Sequence, residues 1–130
     1  MNFKIDTKEK FTVIEPLEPA LNDNLAVALY DACVHYLDED IKNIILNLMS
    51  VTSINKKVAD MFVELHQEFY NNDASLVLCN ICVEVVAFLK NEELDYILNC
   101  TPTESEAWDI VQMEEIEREL LGGDDFLSEE

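Results

Sequence analysis

Residues 44–70 read IILNLMSVTSINKKVADMFVELHQEFY. The opening segment, Ile44–Leu48, is a short and nearly continuous apolar run, which predicts a strand buried on both faces. From about Asn55 to Tyr70 the period changes. Val58, Met61, Phe62, Leu65 and Phe69 recur at helical spacing, so the segment predicts an amphipathic helix with one buried stripe. The loop Ser50–Lys57 therefore lies where a buried strand hands over to a helix N-terminus. In α/β folds, sites and partner contacts gather at such junctions.

Working outward, Asn71–Asn72–Asp73 reads as a helix stop, with asparagine taking the left-handed conformation usually given to glycine. Ser75–Asn80 (SLVLCN) is a second buried strand. Val83–Lys90 is a helix with Val86 and Leu89 turned inward, broken at Asn91–Asp95. Tyr96–Asn99 (YILN) is expected to be a short last strand. Thr101–Pro102–Thr103–Glu104 starts another helix, with capping boxes available at Thr101/Glu104 and at Thr103/Glu106. Ala107, Ile110, Val111, Met113, Ile116 and Leu120 are read as its apolar stripe, and it should end before Gly122–Gly123.

Upstream, Phe3–Thr7 and Phe11–Glu15 read as strands of a hairpin turned at Lys8–Glu9–Lys10. Pro16 and Pro19 then bar further ladder bonding. Asn22–Asp23–Asn24 offers caps for a helix over roughly 24–38, whose stripe is Leu25, Ala28, Leu29, Ala32, Cys33, Tyr36 and Leu37. The resulting order, ββαβαβαβα, implies right-handed crossovers and a mostly parallel sheet with an antiparallel edge. The expectation is one domain over residues 1–121, followed by an acidic tail over 122–130.

Composition narrows the function. The chain has 130 residues, 49% of them apolar, enough for a packed core. The net charge of −20 argues against nucleic acid and against docking on anionic lipid. No apolar run reaches the length of a membrane span, and MNFKIDTKEK resembles neither a secretory nor a transit leader; a cytoplasmic protein is expected. Glycine occurs only as Gly122 and Gly123, so there is no phosphate-cradling loop and no nucleophile elbow. From Glu104 onward eleven carboxylates face one Arg118.

The text of the central stretch and the order of elements resemble the STAS domain, the family of bacterial anti-sigma factor antagonists and of the cytoplasmic tails of sulfate-type anion transporters. Family members show a strand of the type V-I-L-D-L, then S-G-V-x-F-I-D-S-S-G, then a helix L-x-x-L-x-x-L. Here the corresponding text is IILNLMSVTSINKKVADMFVELHQEF, with NNDASLVLCN for the next strand and VEVVAFL for the helix after it. The resemblance implies an α/β, STAS-like fold: a mixed, mostly parallel sheet of four or five strands with about four helices and an N-terminal hairpin. It also implies a non-enzymatic regulatory module that binds an anti-sigma factor or another regulatory protein through Ser50, Thr52, Ser53, Asn55, Lys56, Lys57 and Asp60. At the family's phosphorylation motif the Asp becomes Asn55, the acceptor Ser becomes Lys56, the next Ser becomes Lys57 and the Gly becomes Val58. Lysine has no hydroxyl to phosphorylate and carries the wrong charge to imitate phosphate. Ser50, Thr52 and Ser53 stay open as displaced acceptors. The alternatives are a small-ligand or lipid-binding member of the family, and a structural homo-oligomer or homodimer.

Other candidates read as structural. Lys56 and Lys57 oppose the helix dipole; they are either tolerated surface lysines or a basic knob for an acidic partner. Cys79-x-x-Cys82 lacks the second pair that zinc would need, so Cys79 and Cys33 are expected to be buried thiols, with no metal and no cofactor. A thiol-dependent enzyme would require a depressed cysteine pKa. His35 and His66 have no catalytic neighbours in sequence, and His66 reads as a surface residue. Trp108 is either an exposed anchor for a partner or packing at the edge of the core.

Overall fold

The computed structural model describes residues 3–122. Strands β1 (Phe3–Thr7) and β2 (Thr12–Pro16) form the antiparallel hairpin, closed by Lys8 N–H donating to the Phe11 carbonyl at 2.7 Å. Then follow α1 (Asp23–Val34), a 3-10 turn over His35–Asp38, β3 (Ile44–Asn47), α2 (Lys56–Asn71), β4 (Leu76–Cys79), α3 (Val83–Asn91), β5 (Cys100–Thr101) and α4 (Glu104–Gly122). The expected α/β class, hairpin and mostly parallel sheet are all present.

The sheet order is β1-β2-β3-β4-β5, with β2 through β5 parallel. Each crossover steps the same way, and right-handed crossovers of one sense place their helices on one face. Accordingly α1, α2 and α3 bury Leu29, Phe62, Leu65, Phe69, Val85 and Leu89 against Ile14, Ile44, Leu46, Leu76 and Leu78. The opposite face shows the alternate strand residues, Val13, Ile45, Val77 and Cys79, and among the described residues α4 covers them with Ala107 and Val111. Because the order never reverses, the sheet has no switch point of the kind that opens a ligand crevice.

Capping follows the side chains on offer. Asn22 accepts from Leu25 N–H and Asn55 from Val58 N–H, both at 2.9 Å. For α4 the box used is Thr103/Glu106: Thr103 Oγ1 accepts from Glu106 N–H at 3.2 Å and donates to the Glu106 carboxylate at 3.0 Å. With no glycine before position 122, the chain turns left-handed at Asp73, Asn80 and Glu93. Asp73, rather than either asparagine before it, ends α2: Ala74 N–H reaches back to the Phe69 carbonyl at 2.9 Å. Glu93 closes α3 in the same way, with Leu94 N–H on Leu89.

Several expectations are corrected. Tyr96–Asn99 is not a strand, because Ile97 and Leu98 donate to the Leu94 carbonyl in a local turn. The last strand is Cys100–Thr101, and Leu78 N–H takes the Asn99 carbonyl just before it. In α3 the inward residue is Val85 rather than Val86. Helix α4 runs to Gly122, one residue beyond the expected stop. Its stripe also divides. Ala107 and Val111 are buried, whereas Met113, Ile116 and Leu120 are exposed. At about 100° per residue those three lie on the far side of the helix from Ala107. Of the acidic tail expected over 122–130, Gly122 belongs to α4, and residues 123–130 lie outside the described residues.

Candidate functional site

The junction singled out by sequence sits at the C-terminal ends of the parallel strands. Its loop is held from three sides. From β2's exit, the Pro19 carbonyl accepts from Thr52 N–H at 2.7 Å, from Ser53 N–H at 3.1 Å and from the Thr52 hydroxyl at 3.2 Å. Leu21 N–H returns a bond to the Ser53 carbonyl, so Ala20 and Ser53 make a parallel bridge. From β3, the Asn47 side-chain oxygen accepts from Met49 N–H at 3.0 Å and from Asn80 Nδ2 at 3.2 Å. That bond links the β3–α2 loop to the β4–α3 loop. From β4's exit, the Cys82 thiol lies 3.8 Å from the Thr52 carbonyl.

The individual candidates separate on this frame. The Ser50 hydroxyl donates to the Glu15 carboxylate at 3.2 Å, so a phosphate there would meet a negative neighbour. Thr52 is engaged by Pro19, and Ser53 is exposed. Asn55 has two roles, capping α2 with its oxygen and donating Nδ2 to Asp23 at 2.9 Å. The Lys56 ammonium stands 3.5 Å from Asp60 and 3.4 Å from Glu92, and Asp60, then Glu92, hold its pKa above the ordinary lysine value. This links the start of α2 to the end of α3 and offsets the unfavourable dipole. Lys57 is exposed beside it.

Sequence reasoning missed the apolar members of this end. Leu17, Met49 and Val83 are 45%, 62% and 80% exposed and follow β2, β3 and β4, three adjacent strands. Leu17 and Met49 lie in connections and Val83 opens α3, so no buried stripe includes them; the signal is position just after a strand. Glu15, Asp23 and Glu92 were also missed, being ordinary acids until the fold brings them to Ser50, Asn55 and Lys56.

The thiols behave as core. Burial, together with Glu104 and Glu15, pushes Cys79 up to about 12, and burial pushes Cys33 higher still. Both stay protonated at neutral pH, the opposite of an activated nucleophile. Among the described residues no group of three or more His, Cys, Asp or Glu side chains is placed to hold a metal, and no helix is long and apolar enough to cross a membrane. Trp108 is half-buried and packs on Phe11 with ring centroids 4.8 Å apart, so it is core edge and not a free anchor.

A cleft lies at the other end of the strands. It has a volume of about 1110 Å³ and is lined by residues including His66, Tyr70, Asp73, Glu114 and Arg118. His66, expected at the plain surface, is half-buried in its wall. Beside it a polar network joins α4 to the strand starts. Ser75 donates to Glu114 at 2.6 Å, Asn99 to Glu114 at 2.8 Å and Asn43 to Glu115 at 2.8 Å. Arg118 donates to Ser75 at 3.1 Å and to Asn43 at 3.4 Å.

The model of the STAS domain family matches residues 3–107, and the chain belongs to that family. Solved structures share its fold at low identity. A putative anti-sigma factor antagonist from Thermotoga maritima superposes with a TM-score of 0.76 at 22% identity, over 85% of this chain and 94% of that one. The anti-sigma factor antagonist SpoIIAA in its unphosphorylated form gives 0.69 at 17% identity, over 85% and 96%. A murine anion transporter of solute carrier family 26 gives 0.68 at 13% identity, over 83% of this chain and 18% of that one. No curated protein matches the sequence significantly.

Proposed function

We propose that the protein is a non-enzymatic, cytoplasmic regulatory module that binds an anti-sigma factor or a comparable regulatory protein through the C-terminal end of its sheet. The surface comprises Ser50, Thr52, Ser53, Asn55, Lys56, Lys57 and Asp60, together with the exposed Leu17, Met49 and Val83. The carrying observation is that this end is a pinned, convergent set of loops on a sheet without a switch-point crevice. Such a surface suits a protein partner better than a small substrate. The anti-sigma factor antagonists among the solved structures that share the fold support this class of partner. Binding would work by competition, with the partner's other client released when this protein occupies it.

The family's covalent control is absent in this reading, because Lys56 stands at the acceptor position and is already paired with Asp60 and Glu92. Affinity capture from the source cell's extract tests both parts. The wild-type protein is expected to recover an anti-sigma-type ATPase, and K56E/K57E to recover much less. Reproducible recovery of unrelated proteins alone would overturn the partner. A phosphate gained on Ser50, Thr52 or Ser53 in the presence of that ATPase and ATP would overturn the loss of the switch.

A second reading, a small-ligand binder, is favoured by the cleft beside Arg118. Acids dominate its wall, so it would select a cationic ligand. Thermal-shift screening with small amines decides it, since a cleft-bound amine raises the melting temperature.

A further inference from the structure

We propose that the outer face of α4 is a second docking surface, independent of the strand-end loops, and that it takes a cationic amphipathic helix. Met113, Ile116 and Leu120 are 57%, 55% and 61% exposed. Their spacing of three and four residues sets them in one stripe, pointing away from the sheet that Ala107 and Val111 cover. Three large apolar side chains in register on a solvated helix are not what a free surface needs. A surface helix that packs on one side only carries polar residues on the other.

Charge selects the occupant. Glu106, Asp109, Glu117 and Glu119 are exposed on the same helix around the stripe. The only cation of α4, Arg118, is turned inward onto Ser75 and Asn43. The outer face is therefore apolar at its centre, and every charge exposed around it is anionic, with Ser105 and Gln112 as its neutral polar members. A second copy would bring the same rim and a net charge of −20 against it. Anionic lipid and nucleic acid are repelled for the same reason. The complement is a helix with an apolar seam flanked by lysine or arginine, laid along α4 by the helix-in-groove mode.

The probe is a fluorescent idealised Leu–Lys amphipathic helix, titrated with the full chain by fluorescence anisotropy. M113Q/I116Q/L120Q leaves every charge in place and touches no buried residue, so its unfolding midpoint should match the wild type. The expected result is binding weakened by about tenfold or more in this variant, as for removal of interface anchors. Binding should weaken again in about 0.5 M salt, where rim charges are screened. Equal affinity of variant and wild type would overturn the proposal, since the probe would then be held by charge alone. A wild-type dimer in light scattering that the triple substitution dissociates would also overturn it, by naming a second copy as the occupant. Oxidation of Met113 by peroxide should be about as fast as that of Met49, which is comparably exposed. A protected Met113 in the unbound protein would overturn the proposal by showing the stripe already covered within the chain.

Discussion

At the N-terminal ends of the strands, Asn43, Ser75 and Asn99 meet Glu114, Glu115 and Arg118 and are closed by them. At the C-terminal ends, Ser50, Thr52, Asn55 and Lys56 are bonded just as fully, but to neighbours within the same set of loops. Apolar Leu17, Met49 and Val83 are left in water there. Both ends are polar in sequence. The difference is that α4 lies across one of them. Hydrogen bonding at the covered end holds the molecule together, and hydrogen bonding at the open end holds a surface in shape.

Substitutions at the two ends should therefore separate stability from binding. The largest effect on stability is expected for Asn43→Ala at the covered end. Asn43 is 5% exposed and serves Ser75 N–H, Lys10 carbonyl, Glu115 and Arg118. Removing it strands buried partners and should cost about 2–3 kcal/mol in urea unfolding. Capture of the partner should persist in conditions where the variant stays folded; unchanged stability would break the contrast between the ends.

At the open end, Asn55→Ala removes the α2 cap and should cost about 1 kcal/mol, while also loosening the tie to Asp23. Glu93→Gly relieves a left-handed glutamate and should gain about 0.5–1 kcal/mol, net of the flexibility glycine adds to the unfolded chain. Any loss of stability there would show that the Glu93 side chain matters more than its backbone.

The smallest effect at neutral pH belongs to Cys79, whose thiol is raised from 9.0 to about 12 in the fold. A raised value means that the folded state keeps a proton that the unfolded state gives up. The stabilisation is complete below 9 and is lost as the pH climbs toward 12. Urea midpoints measured from pH 7 to 11 should be flat, then fall, and fall less in Cys79→Ala.

Much of the sheet was legible because a strand buried on both faces reads as a continuous apolar run, which is a local property. Ile14, Ile44, Leu46, Leu76 and Leu78 point one way and Val13, Ile45, Val77 and Cys79 the other. The caps at Asn22 and Thr103 were legible because they too are local. What escaped depends on partners distant in sequence. The apolar spacing of α4 runs through Met113 and Ile116, yet its second half turns Glu114, Glu115 and Arg118 inward to serve strand starts 15–75 residues away. No period in the helix alone announces that. Tyr96–Asn99 had strand-like composition, but its backbone bonds go to Leu94. Position after a buried strand and family likeness mark the candidate loop in the sequence. Its braces, Glu15, Asp23, Pro19 and Glu92, come from other connections.

The strand order also bears on how the chain assembles. Every strand pairs with its neighbour in sequence, so the sheet can grow from the hairpin one strand and helix at a time, closing short loops at each step. Helix α4 touches β3, β4 and β5 and has no complete seat until the last two-residue strand is down. The bonds from Asn43 and Ser75 to Glu115, Glu114 and Arg118 therefore wait for α4 to dock, whereas that between Ser75 N–H and Asn43 needs only β3 and β4. A substitution at Glu114, whose bonds to Ser75 and Asn99 cross that last interface, should speed unfolding far more than it slows folding.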